Sequence, residues 1–89
     1  MLVLRVIVRY FGALYEHLGV FQDLIIIRGN RASINDVLKE VEKLRPELKM
    51  LKDRIPLLWI FRNGRQVLGN EEVRDGDVIW IMPTMHEGG

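Results

Sequence analysis

The stretch "VIWIMPTMHEGG", residues 78–89, passes from five strand-forming residues through a proline to two glycines. Val78 to Met82 is apolar at every position, the pattern of a strand buried on both faces in the middle of a sheet. Pro83 has no backbone N–H, so pairing is expected to stop there. The six residues that follow, 84–89, reach roughly 20 Å when extended at about 3.3–3.6 Å each. Glycine makes up roughly 7% of residues, so a chance Gly-Gly end is expected in about 0.5% of chains. A frayed terminus or an engineered remnant would give the same ending, so the rest of the chain has to decide what the ending means.

Composition narrows the choices. The chain has 89 residues, 48% hydrophobic and 28% charged, enough for one compact domain with a modest core and little room for a catalytic cleft of its own. Nine Arg and four Lys are spread along it against 12 acidic residues, a formal charge of +1. The nonspecific attraction that drives most nucleic-acid binding is therefore weak, and no direct nucleic-acid partner is expected. There is no Cys, which removes disulfides, thiolate metal sites and any internal thiol nucleophile. "MLVLRVIVRY" is apolar enough to suggest a leader, but Arg5 and Arg9 interrupt it and no small-residue cleavage site follows. No apolar run approaches a membrane span, so the expectation is a cytoplasmic protein without a membrane partner.

Working back from the C-terminus, Leu2, Leu4, Val6, Val8 and Tyr10 alternate with Val3, Arg5, Ile7 and Arg9, a period of two with one wholly apolar face directed at the core. Arg5 and Arg9 then form a solvated stripe, with contact to a partner the less common reading. "FGALYEHLG" breaks the alternation and reads as a wide loop holding His17, and "QDLIIIR" (22–28) resumes as a second strand of a hairpin. Ser33 with Asp36 resembles a capping box, and Ile34, Val37, Leu38, Val41 and Leu44 follow at helical spacing. Lys39, Glu40, Glu42 and Lys43 take the solvated side, and Pro46 closes the helix. "LLWIFR" is a third strand, Asn63-Gly64 a hairpin turn, and 65–68 a short return strand. "GNEEV" carries no element, and Asp75-Gly76 marks a turn into the last strand. The order predicts an α+β sheet packed on one helix, with the first and last strands in its middle. No segment remains to cover the other face, although the last strand must put large apolar groups on both sides. Such a patch usually marks an interaction site.

At this point the chain resembles the ubiquitin-like β-grasp superfamily, and within it the sulfur-carrier small subunit of molybdopterin synthase. The likeness runs the length of the chain: "VRYFGALYEHLG" resembles that family's opening stretch with Gly12 inserted, "NDVLKEVEKLRPEL" its helix, "VRDGDVIWIMP" its Asp-Gly-Asp turn and last strand, and "GG" its end. Here Pro83 is followed by Thr84 and a "TMHE" linker where the family often has two prolines and a shorter tail. The resemblance implies a mixed sheet of four to five strands packed on one main helix over residues 1–83, followed by a flexible tail over 84–89.

The family's function then gives the two glycines a role. A free carboxylate is a poor electrophile, and the resemblance implies that a separate adenylating and sulfurating enzyme of the ubiquitin-activating type uses ATP to make an acyl-adenylate at Gly89. A sulfur donor converts that to a thiocarboxylate. The sulfur is donated in molybdopterin synthesis, for molybdenum or tungsten cofactor, within a complex with the catalytic large subunit. The chain would thus be a carrier and co-substrate, not an enzyme by itself, binding no cofactor. Gly88 and Gly89 suit a narrow channel because neither carries a Cβ. The alternatives from the same activated terminus are a ubiquitin-like modifier joined to lysines and a carrier for tRNA thiolation; a plain interaction module with an accidental Gly-Gly end is a third class. His86 is more often a solvated tail residue than a channel contact. No metal site is expected, because His17 and His86 have no partners at ligand spacing and Asp75-Gly76-Asp77 has too few oxygens for a cation loop. Trp59 and Trp80, at alternating strand positions, read as core or interface anchors.

Overall fold

The computed structural model describes residues 2–49 and 58–83. Leu57, expected to begin the third strand, and the whole tail with His86, Gly88 and Gly89 lie outside the described residues. Among the described residues, seven strands and two complete helices run in the order β1 (Val3–Tyr10), α1 (Ala13–Leu18), β2 (Gln22–Arg28), β3 (Ala32–Ser33), α2 (Ile34–Leu44), β4 (Leu58–Arg62), β5 (Arg65–Gln66), β6 (Glu72–Val73) and β7 (Val78–Pro83), and residues 47–49 are also helical. Five of the strands form one mixed sheet in the order β2-β1-β7-β4-β5, and β3 pairs with β6 in a separate two-stranded ladder. β1 and β7 are the parallel pair, Val8 opposite Ile79 and Arg9 opposite Trp80. They occupy the middle, as the sequence predicts.

The alternation in β1 sorts the sheet's two faces. Leu4, Val6, Val8 and Tyr10 are buried with Ile79 and Ile81 of β7, Ile25 of β2 and Ile60 of β4, under Ile34, Val37 and Val41 of α2. Leu2 is not part of this face: it precedes the strand and is exposed. Leu44 likewise leaves the expected stripe: it is the last residue of α2, beside Arg45 and Pro46, and is half exposed, whereas Val41 one turn earlier is fully buried. The capping box is present in full. Asp36 N–H donates to Ser33 Oγ (3.2 Å) and Ser33 N–H to Asp36 Oδ2 (2.9 Å), and these bonds hold Asp36 below the ordinary carboxylate range.

Three segments differ from the sequence reading. "FGALYEHLG" is not a loop: Ala13–Leu18 form α1, which seats Leu14 and Leu18 in the core one turn apart and carries His17 on its exposed side. The return strand stops at Gln66 instead of residue 68, and "GNEEV" supplies β6. Both changes have one cause. The chain turns inward so that the carbonyls of Gly69 and Glu71 accept the first N–H groups of α2, from Asn35 (2.8 Å) and Ile34 (2.9 Å), groups that the helix cannot satisfy itself. Arg62 fixes the same corner: its Nη1 donates to the Glu72 carbonyl (3.0 Å), and its Nε lies 2.8 Å from Asp77 Oδ2 but off the line a hydrogen bond needs. Pro83 does not stop the pairing either, since it still faces Leu58 across the β7–β4 ladder.

The other end of α2 is tied down by a polar cluster. Arg45 donates to both oxygens of Asp23, Nη2 to Oδ1 at 2.6 Å and Nε to Oδ2 at 3.0 Å, and the Tyr10 hydroxyl donates to Oδ2 at 2.7 Å. The Arg45 bonds hold the Asp23 carboxyl low, with burial opposing and Tyr10 assisting. Burial, then the bond to Asp23, pushes the Tyr10 phenol well above its ordinary value. Asp23 titrates lower folded than unfolded, so its stabilisation is complete above the unfolded value near ~4 and fades as the pH drops through the folded one. Replacing it (Asp23→Asn) should cost roughly 1–3 kcal/mol near neutral pH. Urea unfolding of both forms should show that difference shrinking below about pH 4; a pH-independent difference would contradict this account.

Candidate functional site

The face of the sheet turned away from α2 is where the large side chains gather. Because β7 alternates, Ile79 and Ile81 point into the core and Val78, Trp80 and Met82 point outward. Its neighbours bring matching residues to the same side: Ile7 and Arg9 lie opposite Val78 and Trp80 on β1, and Trp59 and Phe61 opposite Met82 and Trp80 on β4. Trp80 is the centre of the group. Phe11, just past β1, stacks on it with ring centroids 4.2 Å apart and planes at 26°. The Arg9 guanidinium sits 5.0 Å from the Trp80 ring centroid while its Nε donates to Gln22 Oε1 at 3.2 Å, a cation placed on an aromatic face. Trp59 meets Phe61 edge-on at 6.3 Å and is 47% exposed. A shallow depression lined by Phe11, Phe61, Gly64, Trp80 and Met82 opens between these rings.

The expected positions can now be placed. Trp59 and Trp80 belong to this outer face and not to the core. Arg9 is part of the aromatic group instead of a solvated stripe. Arg5 is a structural cation: it makes a salt bridge with Asp75 at 3.2 Å, and the Arg5 backbone N–H donates to Asp75 Oδ1 at 2.8 Å. The pair holds the Asp75 carboxyl low and the Arg5 guanidinium high. Asp77 accepts from the Arg74 N–H at 2.7 Å, so the Asp75-Gly76-Asp77 segment is the expected turn, with Gly76 at φ 89°. Among the described residues no group of three or more His, Asp or Glu side chains could hold a metal ion, and no helix is long and apolar enough to cross a membrane.

Phe11 and Phe61 join the site without having been singled out. Phe61 was readable two places after Trp59, on the same side of one strand. Phe11 was not, because its partner Trp80 is brought to it only by the parallel β1–β7 register. The root of the tail sits beside this group. Phe11 N–H donates to the Ile81 carbonyl at 3.1 Å, and Gly12, at φ 59° and ψ −130°, carries the chain past Pro83. That backbone conformation favours glycine on dihedral grounds alone, since a Cβ there would make only an ordinary contact with Pro83 at 3.7 Å. The arrangement presents a broad apolar face with a cation at its centre, and the chain leaves the sheet at the edge of that face. It can hold a partner; it offers no nucleophile or paired acid and base of its own among the described residues.

Comparison with known proteins gives a family and a set of similar structures. The model of the ThiS family matches residues 8–88. No curated protein matches the chain significantly. Among solved structures, the chain is similar to a Pyrococcus furiosus protein provisionally described as molybdopterin converting factor, subunit 1, at 28% identity over 92% of this chain and 99% of that one, with a TM-score of 0.77. It is similar to a complex of subunits 1 and 2 of the molybdopterin-converting factor from Helicobacter pylori at 27% identity, covering 96% of this chain and 100% of that one, with a TM-score of 0.55. SAMP1 from Haloferax volcanii shares the fold at 22% identity, covering 96% and 99% of the two chains, with a TM-score of 0.80.

Proposed function

The chain belongs to the ThiS family, and from that premise we propose that it is a sulfur carrier that serves a molybdopterin synthase-type complex. In this reading the carboxylate of Gly89 attacks the α-phosphorus of ATP on a separate activating enzyme, and pyrophosphate leaves. A sulfide equivalent from a donor protein then adds at the glycyl carbonyl and expels AMP, leaving a thiocarboxylate. The carrier supplies no cofactor and no catalytic group; ATP belongs to the activating partner, and the acid-base chemistry of sulfur transfer belongs to the large subunit.

What supports the reading most is the joint placement of the apolar face and the tail root. Docking through Trp59, Phe61 and Trp80 would hold the domain still while the segment after Pro83 reaches into a partner's pocket, which raises the effective concentration of the thiocarboxylate there. The Helicobacter pylori complex, in which subunit 1 is seen with subunit 2, supports a partner of the large-subunit kind. The test is incubation with ATP, a cognate activating enzyme and a sulfur donor, followed by intact-mass measurement and then single-turnover transfer to the pterin precursor with the large subunit. Exchange of one oxygen for sulfur followed by transfer is the expected result. Exchange without transfer, together with conjugates linked to lysines, would instead favour the modifier role; no exchange at all would remove both.

A further inference from the structure

β2 is the outer strand of the five-stranded sheet, and one of its long edges has no partner among the described residues. Edge strands are usually guarded by charged side chains, proline or a bulge. β2 has Arg28 at its end and one inward carboxylate, Asp23, which Arg45 neutralises, but its middle, Leu24 to Ile27, carries no charge, proline or bulge, and on its solvent side Leu24 and Ile26 are 57% and 56% exposed.

The ladder fixes which residues offer that edge. Tyr10 N–H donates to the Phe21 carbonyl and Gly29 N–H to the Leu2 carbonyl, each at 2.9 Å, and the β1–β2 register runs from Val3 opposite Arg28 to Arg9 opposite Gln22. Hydrogen-bonded pairs alternate in an antiparallel ladder. Asp23, Ile25 and Ile27 therefore spend their backbone groups on β1, and Gln22, Leu24, Ile26 and Arg28 direct theirs outward. These four positions are symmetric about Ile25. An antiparallel copy of β2 with its two-fold axis at Ile25 sets Leu24 opposite Ile26 and Gln22 opposite Arg28, satisfies all four outward residues, and brings no like charges face to face. A shift of two residues either way leaves an outward residue at one end of each strand without a partner from the other strand.

We propose that the β2 edge is a self-association surface, on which a second copy of this chain pairs through β2 about a two-fold axis at Ile25. The contact is isologous and joins two five-stranded sheets into one, with the Trp80 faces on a common side and the two β7 strands pointing in opposite directions. The tails of the two copies then leave from opposite ends. The proposal does not rest on the sulfur-carrier reading and can fail separately from it.

Sedimentation of the full chain from about 10 µM to about 1 mM tests it, since weaker pairing would contribute little in solution. The mass is expected to rise from 10.4 kDa toward double that value. Leu24→Lys with Ile26→Lys puts like charges across the axis and should move the midpoint at least tenfold higher, with circular dichroism unchanged. Leu24→Asp with Ile26→Lys pairs opposite charges in this register and should restore association. Because the chain has no Cys, mixing Leu24→Cys with Ile26→Cys should give an oxidised cross-linked dimer far more readily than either variant alone. A mass of 10.4 kDa at every concentration, indifference to the paired lysines, or equal cross-linking by Leu24→Cys alone would overturn the proposal.

Discussion

Deleting Gly89 is expected to abolish oxygen-for-sulfur exchange at the C-terminus while changing stability by no more than about 0.5 kcal/mol. The shortened chain still ends in a glycine carboxylate, that of Gly88, with the same intrinsic reactivity. What it lacks is one residue of reach, about 3.5 Å, and a reacting carbon displaced that far from an activated phosphate is no longer in attack geometry. The deletion thus separates chemistry from position. Gly89→Ala retains the length and adds one methyl group, so it should slow exchange without eliminating it. Intact mass after a fixed incubation, with melting curves of all three forms, provides the comparison. Wild-type exchange by the deletion variant would show that one residue of reach does not matter, and the positional account would fail.

The second large effect concerns the outer face. Trp59→Glu should weaken binding to the large subunit roughly 30- to 150-fold, the equivalent of about 2–3 kcal/mol, because it buries a carboxylate where an aromatic anchor is expected to dock. Trp59 is the suitable choice because it is already half exposed, so the domain should still fold. Leu44→Glu is the matched control: an apolar residue of similar exposure at the end of α2, on the far side of the sheet. It should leave affinity unchanged. Calorimetry with the purified large subunit reads both. Equal affinities for the two variants would move the interface off the Trp80 face.

Much of this architecture could be read from residue patterns, and the exceptions have physical reasons. β1 was legible because one side of its alternation is wholly apolar, and α2 because Ser33 and Asp36 form a local device that needs no distant partner. Asn63-Gly64 was legible for the same reason: Asn63 at φ 53° and Gly64 at φ 78° meet a requirement of the turn itself. α1 was missed because six residues hold only one repeat of the helical period, Leu14 and Leu18. β3 and β6 were missed because two-residue strands have no periodicity, and they accompany the demand of α2 for carbonyl acceptors from a segment 34 to 37 residues away in sequence. At the site, Trp59 and Trp80 stood out by size, but their side of the sheet depended on the register of β7. The role of Arg9 over Trp80 depended on a parallel pairing that no local pattern records.

That parallel pairing also governs how the fold is reached in time. β1 has no ladder with β4, and β7 alone joins them. Without β7 the sheet is two unconnected hairpins, β1–β2 and β4–β5, each formed by neighbours in sequence and able to form early. Joining them requires Val8 to find Ile79, and Ile60 to find Ile81. The first of these closures spans most of the chain, and its entropic cost is met before the buried isoleucines return anything. Assembly of the docking face is therefore the late step: Trp80 comes to lie beneath Arg9 and beside Phe61 only when β7 enters. A chain holding only the two hairpins would lack the Trp80 face, so the strand insertion that completes the core also completes the surface proposed for a partner.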